Sequence, residues 1–184
     1  SGLDPKAIAA AGFSTQRSVT CPVDAEGHPV RPLISWQDAR TAAEVEAMRA
    51  LVDPDDYSAT SGLPLGTTWI VTKLLWMRAH EPELWRRTRR VLQNQDLLLR
   101  AFGAEGWHTD LSDMAFYGVW DVRRSAWSED LLRRFGLSSD LFGQPTRSGT
   151  CVGAIPRSVA ERTGLDPLEI RLRNAPKEGT RLVD

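Results

Sequence analysis

The chain has 184 residues, enough to bury a substantial core in one domain with an appendage. Its 41% apolar and 26% charged content is ordinary for a globular protein, and a net charge of −1 with the two signs interspersed leaves no footprint for nucleic acid or an anionic membrane. Cys21 and Cys151 are too few and too far apart for a disulfide framework, and His28, His80 and His108 show no ligand-like spacing, so no metal is expected. With neither a leader peptide nor a long apolar span, the two cysteines point to a reducing cytoplasm. The chain opens Ser1-Gly2 without Met, as a cleaved tag or an internal fragment would.

Residues 7–13 form a short run of small apolar residues suited to a buried strand. Residues 18–24 alternate into a second strand, Asp24-Ala25-Glu26-Gly27 is a turn, and Val30 to Trp36 gives a third strand interrupted by Pro32. This spacing predicts a meander. Thr41-Ala42-Ala43-Glu44 has the spacing of a capping box, after which Val45, Met48 and Val52 share a helical face and Pro54 stops the helix. A second helix is predicted from about Thr68 to His80, with Ile70, Leu74 and Met77 in one stripe. Residues 83–101 are helical again, in two pieces, with Gly103 placed to cap the end. Ser128-Glu129-Asp130 opens a further helix that Gly136 ends, and a last short helix spans Ser158 to Thr163. The basic run Arg86-Arg87-Thr88-Arg89-Arg90 reads as a solvated helix-end face. Strands followed by helices give an α/β or α+β class, and periodicity alone goes no further.

Several residues could meet a small polar ligand. Arg17 follows the first strand and offers a rigid fork of donors, while Trp36 ends the third strand and could supply an apolar wall. Each also has a plainer reading. An Arg at a strand end is most often exposed or paired with a carboxylate, a Trp is most often core, and Asp38 with Arg40 suits a structural pair beside a helix start. Seven tryptophans serve core packing or a carbohydrate-facing wall equally well.

Four segments taken together carry a resemblance: Gly12-Phe13-Ser14-Thr15-Gln16-Arg17, Ile34-Ser35-Trp36-Gln37-Asp38-Ala39-Arg40-Thr41, Ser61-Gly62-Leu63-Pro64 and Thr72-Lys73-Leu74-Leu75-Trp76. In that order they resemble the N-terminal, sugar-binding half of an FGGY-family carbohydrate kinase, of the glycerol kinase-like or xylulokinase-like kind. The likeness extends through Thr109-Asp110-Leu111-Ser112-Asp113-Met114-Ala115 and Trp127-Ser128-Glu129-Asp130-Leu131-Leu132, and covers about Leu3 to Leu165. It implies part of an actin-like ATPase (ribonuclease H-like) domain, a short, mainly antiparallel sheet followed by several helices. It also implies that Arg17 and Trp36 contact a sugar or polyol, with Gln16 and Asp38 supporting them. Ser18 stands where the glycerol kinase-like branch has Glu, and Thr68 where it has Tyr, which leaves the substrate open among polyols, pentoses and hexoses. Asp110 and Asp113 read as structural within this frame.

The family's Asp-x-Gly-Thr phosphate loop and Gly-Asp-Gln catalytic-base segment do not occur in these residues. The resemblance therefore implies an ATP- and Mg²⁺-dependent kinase as the parent protein, with this portion alone binding no cofactor and catalysing nothing. The alternative is a non-catalytic binding or interaction module that keeps the kinase fold. Residues 1–165 form the partial kinase domain on this reading, and 166–184 a charged, Pro-punctuated tail read as a short helix and a loose end. Self-association is expected where strands lack their neighbours.

Overall fold

The computed structural model describes residues 10–156 and 158–159, together with the backbone of 171–173. Strand β1 (Ala10–Ala11) falls in the apolar run, and β2 (Cys21–Val23) in the second predicted strand. The turn after β2 forms as its residues require. The Asp24 carboxylate accepts hydrogen bonds from the Glu26 and His28 amides, and Gly27 takes a φ of 89°. The third strand of the predicted meander does not form. Ile34 exchanges two backbone hydrogen bonds with Thr20, at 2.9 and 3.0 Å, and Val30 donates one to Pro22, but Pro32 between them has no amide to continue a ladder.

Helix α1 (Ala42–Arg49) buries Val45 and Met48 as expected, with Val52 buried just beyond its end. Its capping box is absent. The Thr41 hydroxyl donates instead to the Thr72 hydroxyl at 3.0 Å, a tertiary contact that outcompetes the local cap. Pro54, read as a stop, is the first residue of a new helix, α2 (Pro54–Ser61). The Asp53 carboxylate caps the Asp55 and Asp56 amides at 2.9 and 3.2 Å, and Gly62 closes the helix at a φ of 73°.

Helix α3 (Ile70–His80) follows, then α4 (Pro82–Arg87), β3 (Arg90–Leu92) and α5 (Asn94–Ala101). The two helices expected across 83–101 are thus present with an unforeseen strand between them. Downstream lie β4 (His108–Asp110), a 3-10 segment (Leu111–Tyr117), β5 (Trp120–Asp121), β6 (Ala126–Trp127), α6 (Glu129–Phe135), β7 (Gln144–Thr146), β8 (Cys151–Ala154) and β9 (Arg171–Arg173). Ser128 caps α6 through the Leu131 amide, and Gly136 ends it at a φ of 63°. In the tail, 171–173 form a strand where a helix or loose end was expected. Of the helix predicted at 158–163 only Ser158 and Val159 are described, and the rest of the tail lies outside the described residues.

The chain divides into two compact units. The first comprises Ser1–Thr15, Gln95–Leu111 and Gln144–Asp184. It holds a sheet of order β1-β9-β8, parallel then antiparallel, and the parallel pair β4–β7, around Leu99, Ala104, Val152 and Ile155. Gly103 is obligatory here: at a φ of 100°, a Cβ would lie 2.4 Å from the Ala154 carbonyl oxygen.

The second unit, Gln16–Asn94 and Ser112–Gly143, contains the candidate site. Its antiparallel pair β2–β3 sets Cys21 opposite Leu92 and Val23 opposite Arg90, and β5 pairs antiparallel with β6. The core surrounds α3, where Ile70, Val71 and Leu74 are fully buried and pack among Tyr57, Tyr117 and Phe135, and Met77 is fully buried as well. Each such side chain contributes about 1.5–3 kcal/mol on leaving water. Seven of the eleven α3 residues are buried, so the helix has little polar face, and Lys73 is drawn inward with its neighbours.

Candidate functional site

Three loops of the second unit build the site. The first is the turn ahead of β2. Gln16 and Arg17 are exposed there, while Ser18 is buried in a left-handed conformation at a φ of 57°. Arg17 Nε lies 2.9 Å from Asp113 Oδ1, a carboxylate side chain only 3% exposed, while the Arg17 side chain is 53% exposed. Its guanidinium carbon sits 5.6 Å from the centre of the Phe116 ring, which in turn packs on Trp69 at 6.1 Å. The ion pair fixes Nε while the outer part of the fork faces solvent, so Arg17 is oriented and still able to donate.

The Ser18 hydroxyl points inward and donates to the Thr68 carbonyl at 2.7 Å. The two positions that depart from the glycerol kinase-like pattern are thus bonded to each other, and that hydroxyl is committed inside the protein.

The second loop carries Trp36, Gln37 and Asp38. Trp36 is 42% exposed, so its indole is not core. The Asp38 carboxylate takes the Arg40 guanidinium at 2.7–2.9 Å, and this hydrogen-bonded pairing holds its pKa below the usual carboxylate value. Arg40 also lies over the Trp76 ring, 4.6 Å from its centre. Asp38 supports the site through its main chain as well, for its carbonyl accepts from Lys73 Nζ at 2.5 Å.

The third loop, 67–69, joins the other two. Lys73 Nζ donates to the Thr67 carbonyl as well as to Asp38, and the Thr68 carbonyl takes Ser18. Lys73 is fully buried, and that burial pushes its pKa below the ordinary lysine value, against a smaller opposing pull from Asp38. The turn bearing Arg17 and the loop bearing Trp36 are therefore both tied to one short segment. The first turn carries an oriented donor and the second loop an exposed aromatic face, the two kinds of surface a sugar needs for its hydroxyls and its C–H face.

Asp113, which reads as structural in the sequence, pairs with Arg17 from far away in the chain, a contact that no local pattern encodes. The basic run ending α4 is accounted for by structure: Arg86 pairs with Glu83, and Arg89 and Arg90 donate to backbone carbonyls. Among the described residues no group of three or more His, Cys, Asp or Glu side chains could hold a metal ion, and no helix is long and apolar enough to cross a membrane.

The chain is similar to known proteins in both sequence and fold. Residues 1–170 match the N-terminal domain of the FGGY family of carbohydrate kinases. A xylulose kinase of Escherichia coli is 32% identical over 158 residues, which cover 86% of this chain and 32% of that protein. A glycerol kinase of Thermus brockianus is 32% identical over 147 residues, covering 77% of this chain and 30% of that protein. The chain spans about a third of the length of the curated relatives it matches. Among solved structures, a xylulose kinase from Brucella ovis superposes with a TM-score of 0.79 at 26% identity, covering 92% of this chain and 35% of that one. A gluconate kinase from Lactobacillus acidophilus reaches a TM-score of 0.82 at 15% identity over 90% of this chain and 33% of its own, a likeness of fold alone. The fold is the actin-like ATPase fold expected from the sequence. On a match that runs through 170 of its 184 residues, the chain belongs to the FGGY family of carbohydrate kinases, as that family's N-terminal domain.

Proposed function

We propose that this chain is the substrate-recognition portion of an ATP-dependent kinase that phosphorylates a hydroxyl of a sugar or polyol. The observation that carries this is the Arg17 guanidinium, fixed by a buried carboxylate and half open to solvent. Arg17 donates to substrate hydroxyls, Trp36 lies against the C–H face, and Gln16 and Asp38 support them. The parent belongs in the cytoplasm on this reading.

Phosphoryl transfer needs groups that hold a polyphosphate and its Mg²⁺. On this reading those groups lie elsewhere in the parent. Among the described residues no group of three or more His, Cys, Asp or Glu side chains could hold a metal ion, and every α-helix except α3 carries an acid in its first turn, which disfavours phosphate there. We assign transfer itself to the rest of the parent, and recognition to this portion.

A thermal-shift screen against xylulose, ribulose, glycerol, erythritol and gluconate tests the proposal. One ligand should raise the melting temperature, a gain of about 2.7 kcal/mol when it is present at roughly 100 times its Kd. Arg17→Ala should melt lower, because Asp113 loses its cation, and should show no shift from its own baseline. A shift that survives Arg17→Ala would reject Arg17 as the contact. The inward Ser18 hydroxyl favours a second reading, a binding module without sugar affinity, and a clean melt unmoved by every sugar would support it.

A further inference from the structure

We propose that Gln93 is the positioning residue of this site, setting both ends of the Arg17–Asp113 ion pair through the main chain. The proposal rests on the reading above only in taking Arg17 as the sugar contact. Gln93 follows β3 directly and is fully buried. Its Oε1 accepts the Ser18 amide hydrogen at 2.8 Å, and its Nε2 donates to the Asp113 carbonyl at 2.9 Å. The first contact spans 75 positions in sequence and the second 20.

The consequences differ at the two ends. The Ser18 amide belongs to the peptide plane that follows Arg17, and Ser18 holds a φ of 57°, which a residue with a Cβ rarely adopts unaided. The bond to Gln93 and the Ser18 hydroxyl bond to Thr68 hold it there together. At the other end, bonding the Asp113 carbonyl fixes the backbone that aims its carboxylate at Arg17 Nε. Only one orientation of the amide satisfies both partners, since its reverse sets donor against donor and acceptor against acceptor. Neither Glu nor Met reproduces the pair: ionised Glu has no donor for Asp113, and Met has neither group.

The readout is the Arg17 Hε resonance in a ¹⁵N–¹H spectrum of the whole chain, assigned by its loss in Arg17→Lys. In the native chain it should be distinct and slow to exchange. In Gln93→Met it should disappear into exchange while the core Trp120 indole resonance stays in place. In Gln93→Glu it should be absent where the carboxyl is ionised and return as falling pH protonates it, because the protonated carboxyl can donate to the Asp113 carbonyl. The native resonance recorded over the same range controls for titration elsewhere. Where a sugar binds, Gln93→Met should weaken it by roughly tenfold with Arg17 intact.

An unchanged Arg17 Hε in folded Gln93→Met would overturn the proposal. So would collapse of the whole spectrum in both variants, because Gln93 would then hold the fold and not the site. The Hε readout needs no ligand, so a chain that binds no sugar still decides this question separately.

Discussion

Asp38 acts through two different atoms, and the two can be separated by substitution. Its carboxylate holds Arg40, while its carbonyl accepts from Lys73. Asp38→Asn removes the first and leaves the second. The hydrogen bond from Arg40 lowers the folded-state pKa below the 3.8 of the unpaired group, so the folded state favours the ionised form. The contribution is therefore complete above the unfolded value and is lost as pH falls through the lower, folded one. Urea unfolding should show the native chain more stable than Asp38→Asn by a constant margin above about pH 5, with the gap closing below pH 3.8. Arg40 is 41% exposed, so the margin should stay below about 1 kcal/mol. A gap that widens on acidification would contradict the pairing. At this scale the sequence offers Arg17 and Trp36 as candidates because they sit in local motifs. The indole that composition would assign to the core is instead exposed, and Asp113 and Gln93 were hidden because their partners lie far away in the chain.

Among elements, those set by adjacent residues were readable and those set by distant ones were not. Ser128 and Gly136 bound α6 as their chemistry dictates. Asp53 and Pro54 form an equally local start signal, yet Pro54 also reads as a terminator, and only the structure shows the new helix. Strand β3 was invisible because its ladder partner is β2, with Leu92 opposite Cys21. The Thr41 capping box failed for a related reason, the hydroxyl of Thr72 being available across the interior. The local start signal of α2 carries a prediction. Asp53→Ala should cost about 1 kcal/mol in urea denaturation through loss of the α2 cap. If Asp53→Ala is neutral, the cap assignment is wrong.

For the whole molecule, the discontinuous order of weak motifs identified the family where composition could not, and the family model then matched residues 1–170. What it left open was the arrangement of short sheets in two units and the strand in the tail, since pairings such as β1 with β9 join opposite ends of the chain. We propose that the second unit recognises a sugar through Arg17 and Trp36. A crystal structure of the chain grown with saturating xylulose tests this most directly. Sugar hydroxyls are expected on the Arg17 guanidinium and the C–H face on the Trp36 indole. Xylulose bound elsewhere, for example in the charged cleft lined by Asp53, Asp121 and Arg124, with the Arg17 surface bare, would contradict it.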